Sequence, residues 1–154
     1  MADDVATLTP VFGGARRPFV YRHVVSLQET NLVGNVYFAT LAAWQGRCRE
    51  MFLRAHAPEI LADLSGALKL VTTHLRIDFV LELFAFEEVQ ILMRLISVSG
   101  HKIRMDFEYV VERNGETFVA AQGEQEVACL VQGHLAPPPP SLAAALRMFG
   151  AGGG

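Results

Sequence analysis

An α+β domain, with one antiparallel sheet packed on a single long helix, is the fold class that this 154-residue sequence predicts. Three observations predict it. A proline-free stretch from Phe38 to His56 repeats its apolar residues at three- and four-residue steps. Four later segments are rich in β-branched and aromatic residues, and Asn114-Gly115 joins the last two of them.

Residues 1–18 mix Gly, Pro and polar residues without a period and read as a loose arm. Tyr21–Gln28 reads as a strand, and the polar segment Glu29–Asn35 as the loop after it. In the helix, Leu41, Trp44, Cys48, Met51, Phe52 and Ala55 share one face, while Ala43, Arg47, Glu50 and Arg54 fall on the other. Pro58 ends it. Leu68–Val80, Val89–Val98, Ile103–Arg113 and Glu116–Val131 then supply the sheet.

The third of these strands alternates, with Met105, Phe107, Tyr109 and Val111 on one face and Arg104, Asp106, Glu108 and Glu112 on the other. Asn114-Gly115 is the strongest hairpin signal, because both central turn residues must take positive φ. Gly123 marks a bulge or a close approach in the final strand. The domain is expected over residues 19–134, followed by a Pro/Gly-rich tail at 135–154. Within that tail, Ser141–Phe149 is a helix candidate, with Ser141 as N-cap and Gly150 as stop, and it is either docked or solvated.

Composition narrows the function. Hydrophobic residues make up 51% and charged residues 19%, so part of the apolar surface is expected to be covered by a second subunit. A symmetric homodimer is expected from that. Thirteen basic against sixteen acidic residues leave a net charge of −3, which is no footprint for nucleic acid. Cys48 and Cys129 are too few for a zinc site and lack CxxC spacing. Asp3 and Asp4 stand where a secretory signal would carry positive charge. The apolar runs break at Asp78, Glu82 and Glu87-Glu88 before reaching membrane-spanning length. A cytoplasmic, reduced, soluble protein without metal or cofactor is expected. The five histidines are scattered and none lies in the loop–helix junction, and there is no GxSxG elbow or P-loop.

The segment Glu29-Thr30-Asn31-Leu32-Val33-Gly34-Asn35-Val36-Tyr37-Phe38-Ala39 resembles the active-site loop of hotdog-fold acyl thioesterases of the 4-hydroxybenzoyl-CoA type. Gly34 and the Val36-Tyr37-Phe38 opening match that loop, while Asn31 stands where the family carries an acid. Trp44-Gln45-Gly46-Arg47-Cys48-Arg49-Glu50 resembles the helix motif of the branch that accompanies enediyne polyketide synthases. The resemblance implies a hotdog fold, with an antiparallel sheet wrapped around one long central helix. It also implies hydrolysis of a long polyene or β-keto acyl chain from the phosphopantetheine arm of an acyl carrier protein. A released β-keto acid can then lose carbon dioxide to give a methyl ketone.

The same match places Asn31, Tyr37, Arg49 and the Phe38 backbone amide in the catalytic set, and Gly34, Asn35 and Gln45 in contact with substrate. The Phe38 amide, at the positive end of the helix, is the expected oxyanion donor, and Asn35 competes as a cap for the same turn. An amide at Asn31 orients water or thioester but cannot act as a base. Arg49 lies at the border of the apolar stripe, whereas Arg47 faces solvent beside Glu50. Glu50, opposite the apolar stripe, is disfavoured as the missing acid. Cys48, in mid-stripe, reads as core rather than nucleophile. Thr73 is grouped with Val71, Leu75, Ile77 and Phe79 on an apolar strand face, where it lines an acyl channel or simply packs in the core. Two other functions compete: a hotdog dehydratase, which needs a histidine at the junction, and a non-catalytic acyl-binding protein.

Overall fold

The structure, a computed structural model, describes residues 17–150. The expected arm therefore lies outside the described residues up to residue 16, as do residues 151–154 of the tail. Strands β1 (Phe19–Val24), β2 (Leu68–Phe79), β3 (Glu88–Ser99), β4 (Lys102–Arg113), β5 (Glu116–Val131) and β6 (His134–Leu135) form one antiparallel sheet. Its order is β1-β3-β4-β5-β2, with β6 alongside β5, and it curls around helix α1 (Thr40–His56). Asn114 and Gly115 take φ of 54° and 78°, as the β4–β5 hairpin requires.

Two boundaries move for local reasons. β1 stops at Val24 rather than Gln28, because the Glu29 carboxylate accepts from the Ser26 N–H at 2.9 Å and Leu27–Glu29 coil into a 3-10 turn. α1 starts at Thr40, which leaves Phe38 and Ala39 in the preceding turn. The helix buries Leu41, Trp44, Gln45, Cys48, Phe52 and Leu53, while Met51 is half-buried and Ala55 exposed. The inner face is thus rotated toward Gln45 and Leu53. α1 ends at His56 and Pro58 opens a short α2 (Pro58–Asp63), since its fixed φ suits a first helical position.

β2 carries an irregularity that reassigns its faces. Thr72 pairs with Val127 and His74 with Glu126, so Thr73 is left over between them. One inserted residue flips the alternation, so Leu70 and Thr72 face α1 before the bulge, and Leu75, Ile77 and Phe79 face it after. Gly123 proves to be a close approach. An added Cβ there would lie 2.4 Å from Gln45 Nε2 and 2.6 Å from the Arg76 carbonyl.

The C-terminal segment docks. Helix α3 (Pro140–Arg147) begins one residue before Ser141, with Pro140 inside its first turn, and buries Leu142, Ala143, Ala145 and Leu146. Phe149 packs on Phe19, Phe52 and His56, and its carbonyl accepts from the Leu95 N–H at 3.1 Å. Among the described residues, no helix is long and apolar enough to cross a membrane.

Candidate active site

The loop before α1 is tied so that its exit amides stay free. Asn31 N–H donates to the Asn35 carbonyl at 2.8 Å, and Gly34 N–H to the Asn31 carbonyl at 3.0 Å. Asn31 Oδ1 accepts from Val33 N–H at 3.0 Å, which closes an Asx turn. Gly34 sits at φ +92°, a conformation that side chains disfavour, so the turn itself requires the glycine. Asn35 does not cap the helix: its Oδ1 accepts from no donor among the described residues, while its Nδ2 donates to Glu82 Oε1 at 2.9 Å. Tyr37 N–H goes to the Glu29 carbonyl and Thr40 N–H to the Tyr37 carbonyl. The Phe38 and Ala39 amides, in between, donate to nothing among the described residues. They stand at the positive end of α1, beside an open groove of about 240 Å³ lined by Phe38, Leu41, Phe79 and Leu81.

A buttress behind this loop escaped the sequence reading. The Glu29 carboxylate accepts from Ser26 N–H, from Trp44 Nε1 at 2.8 Å and from His23 Nε2 at 2.8 Å. Burial pushes its pKa up, but these donors outweigh burial and hold it below the usual value. His23 Nδ1 meets the Tyr21 hydroxyl at 2.9 Å, and its ring lies 4.8 Å from Trp44. The fold thus brings a histidine to the junction from β1, seventeen positions before the helix start at Thr40. Both ring nitrogens are occupied, so this histidine is no free base of the kind a dehydratase needs. Only the i, i+3 pattern of Ser26 and Glu29 signalled the buttress in sequence.

Arg49 forms the other half of the candidate site. Its Nη1 donates to Gln125 Oε1 at 2.9 Å and to Thr72 Oγ1 at 3.1 Å, both neutral acceptors. Burial pushes its guanidinium pKa down, and the nearby Glu50 and Cys48 only partly oppose this. The Glu50 carboxylate itself bonds Arg47 at 3.1 Å, on the exposed face. Arg49 is therefore a half-buried cation with no ion-paired carboxylate among the described residues. It borders a cavity of about 220 Å³ whose walls are otherwise almost wholly apolar, including Leu61, Met93, Met105 and Leu142. A cation held so attracts an anion, or an oxygen on which negative charge develops.

The sequence matches the Thioesterase-like superfamily over residues 25–146. The chain belongs to that superfamily. It is a thioester hydrolase with the hotdog fold. A solved dynemicin thioesterase, described for induced-fit and allosteric effects upon polyene binding, is 45% identical. That match has a TM-score of 0.83 and covers 88% of this chain and 99% of the other. A 1,4-dihydroxy-2-naphthoyl-CoA thioesterase from Synechocystis shares the fold at 21% identity and a TM-score of 0.73, covering 83% of this chain and 94% of that one. A gentisyl-coenzyme A thioesterase does so at 16% and 0.70, covering 82% and 98%. No curated protein sequence matches.

Not every expected residue reaches the groove at Phe38 or the cavity at Arg49. Thr73 is a correction: the bulge turns it outward, where its hydroxyl donates to Glu126 Oε1 at 2.8 Å, and Thr72 takes the helix-facing place instead. Val71 goes outward with it. Gln45 is a second correction, since it is fully buried against Gly123 and lines neither pocket. Tyr37 is exposed, with its ring 4.7 Å from that of Phe38. Cys48 is fully buried, its Sγ 3.8 Å from the Ile91 carbonyl, and burial pushes its thiol pKa far up, so it is core. Among the described residues no group of three or more His, Cys, Asp or Glu side chains could hold a metal ion.

Proposed function

We propose that this thioesterase releases a polyketide acyl chain, polyene or β-keto, from the phosphopantetheine arm of an acyl carrier protein of an enediyne-type synthase. The observation that carries the reading is Arg49, a half-buried cation that among the described residues bonds only neutral acceptors, at the rim of an apolar cavity. A β-keto or thioester oxygen suits the cation and a long apolar chain suits the cavity. The likeness to dynemicin thioesterase supports the substrate class.

Within one chain the two halves stand apart, since Phe38 and Arg49 are eleven residues apart, roughly 16 Å along the helix. β2 offers the means to join them. It is a twelve-residue edge strand, paired among the described residues only with β5 and exposing Val71, Leu75 and Phe79. An exposed edge of that length and apolarity pairs readily with another chain. Antiparallel pairing of two copies sets the Phe79 end of one β2 against the Leu68 end of the other. The free Phe38 amide of one subunit then approaches Arg49 of the second. The working enzyme is accordingly a homodimer, or a dimer of dimers.

In this reading water attacks the thioester carbonyl carbon, and the developing oxyanion takes the Phe38 N–H and the second subunit's Arg49 as donors. Collapse of the tetrahedral intermediate breaks the C–S bond, and the proton lost by water ends on the pantetheine thiol. Asn31, its Oδ1 fixed by Val33, presents Nδ2 to orient the water or the thioester. With no carboxylate base the enzyme forgoes about 10²–10⁴ in rate and keeps the ~10²–10³ of an oxyanion donor. A released β-keto acid then decarboxylates to a methyl ketone.

The test is mass-spectrometric release of product from a β-ketoacyl or polyenoyl carrier protein by the wild type, Asn31→Ala and Arg49→Ala. Free acid or methyl ketone from the wild type, lost in both variants, supports the reading. A stable complex with no release above the spontaneous rate overturns it in favour of an acyl-binding protein.

A further inference from the structure

The apolar cavity beside Arg49 runs crosswise beneath the sheet. Arg49 is anchored over β2 and β5 through Thr72 and Gln125. The wall then continues through Leu70 of β2, Val127 of β5, Met105 of β4 and Met93 of β3. Sheet order makes those strands consecutive neighbours, so the span is three strand spacings, about 14 Å. At the β3 side stands α3, whose Leu142 and Leu146 line the cavity and are buried. Arg49 and α3 therefore lie at opposite ends of one cavity.

α3 is fixed at both its ends. Upstream, Ala136 N–H donates to the Cys129 carbonyl at 3.0 Å, and the run from Pro137 to Pro140 stiffens the connection. Downstream, Phe149 accepts from Leu95 and Gly150 bridges the same residue, just past Met93, where β1 ends its pairing with β3. The aromatic cluster of Phe149 with Phe19, Phe52 and His56 secures that end. Two anchored ends make α3 a fixed floor.

We propose that Leu142 and Leu146 of α3 set the length of acyl chain that this thioesterase accepts. The proposal rests on the acyl-thioester reading above and adds the residues that decide specificity. A cavity of 150 Å³ takes benzene, so one of about 220 Å³ encloses about nine carbons of a chain. With its thioester held at the Arg49 rim, a chain longer than this bottoms out on α3 and holds the thioester away from the Phe38 amide, and small misplacements of that kind cost large factors in rate.

The experiment is a length series. Straight-chain acyl pantetheine thioesters of increasing length are hydrolysed by the wild type, Leu142→Val, Leu146→Ala and Leu146→Trp, each checked by its melting transition. Displacement of a fluorescent conjugated fatty acid by free fatty acids of increasing length is measured in parallel. Leu146→Ala should move the optimum about three carbons longer, Leu142→Val about one, and Leu146→Trp should shorten it. An unmoved optimum in any two folded variants, by either readout, overturns the proposal. Should no thioester be hydrolysed, the functional reading fails on its own, and the displacement series still decides whether α3 is the floor.

Discussion

Replacing Arg49 with methionine should lower activity while leaving stability almost untouched. Methionine keeps the apolar stem and loses the guanidinium with its charge. A hydrogen bond from a charged donor is worth about 1.5–3 kcal/mol, so losing one made to the transition-state oxygen lowers kcat/KM about 10- to 150-fold. Stability moves in both directions at once. Gln125 Oε1 and Thr72 Oγ1 lose their donor, which destabilises. A half-buried cation with no ion-paired carboxylate among the described residues also disappears, which stabilises, as the downward push of burial on its pKa indicates. These opposing effects leave the melting temperature within about 4 °C of wild type. Arg49→Lys keeps the charge and loses the guanidinium fork, so it falls between the two. Arg47→Met, removing only an exposed pair with Glu50, stays within a few-fold. Steady-state kinetics on a carrier-protein thioester and thermal melts provide the readout. Near-normal turnover in folded Arg49→Met would refute the charge argument. A fall of about 10 °C with parallel loss of activity would make Arg49 a structural tether instead.

Cys48→Ala should retain activity and lose about 1–3 kcal/mol of stability, because the thiol is fully buried and far from ionising; loss of turnover in the folded variant would reopen covalent catalysis. Gly123→Ala should destabilise by about 1–3 kcal/mol, and a simultaneous Gln45→Ala should not rescue it, since the Arg76 carbonyl still lies 2.6 Å from the new Cβ. Full rescue in denaturant titrations would show that only the flexible side chain was in the way. Glu29→Gln should reduce both stability and kcat/KM at neutral pH by loosening the loop that presents Phe38. The carboxylate's native pKa is lowered, so its contribution is complete above the unfolded value near 4.5 and fades as pH falls through the native one. The gap in melting temperature between wild type and variant should therefore narrow on acidification, and a gap constant with pH would contradict the charge-assisted role.

Local chemistry alone determined much of this protein. The three- and four-residue periodicity of α1, the stop before Pro58, the alternation of β4 and the positive φ at Asn114-Gly115 each depend on neighbours a few residues away, so each was legible in the sequence. The loop and helix motifs carry the superfamily, and the azimuth of Arg49 on α1 alone separates it from Arg47. Tertiary structure decided what required distant partners. The bulge at Thr73 depends on the register of β2 against β5, and one extra residue exchanged Thr73 for Thr72 at the site. Gln45 is buried because Gly123, seventy-eight positions away, leaves room for it. His23 reaches the junction because β1 runs beside β3 and its ring then packs on Trp44, a contact with no local pattern. The tail beyond Pro137 was undecided between docked and solvated, since eight residues of modest helix strength order only against a surface. The curled sheet and Phe52 supply that surface, and the cavity between them and Arg49 exists only once they are assembled.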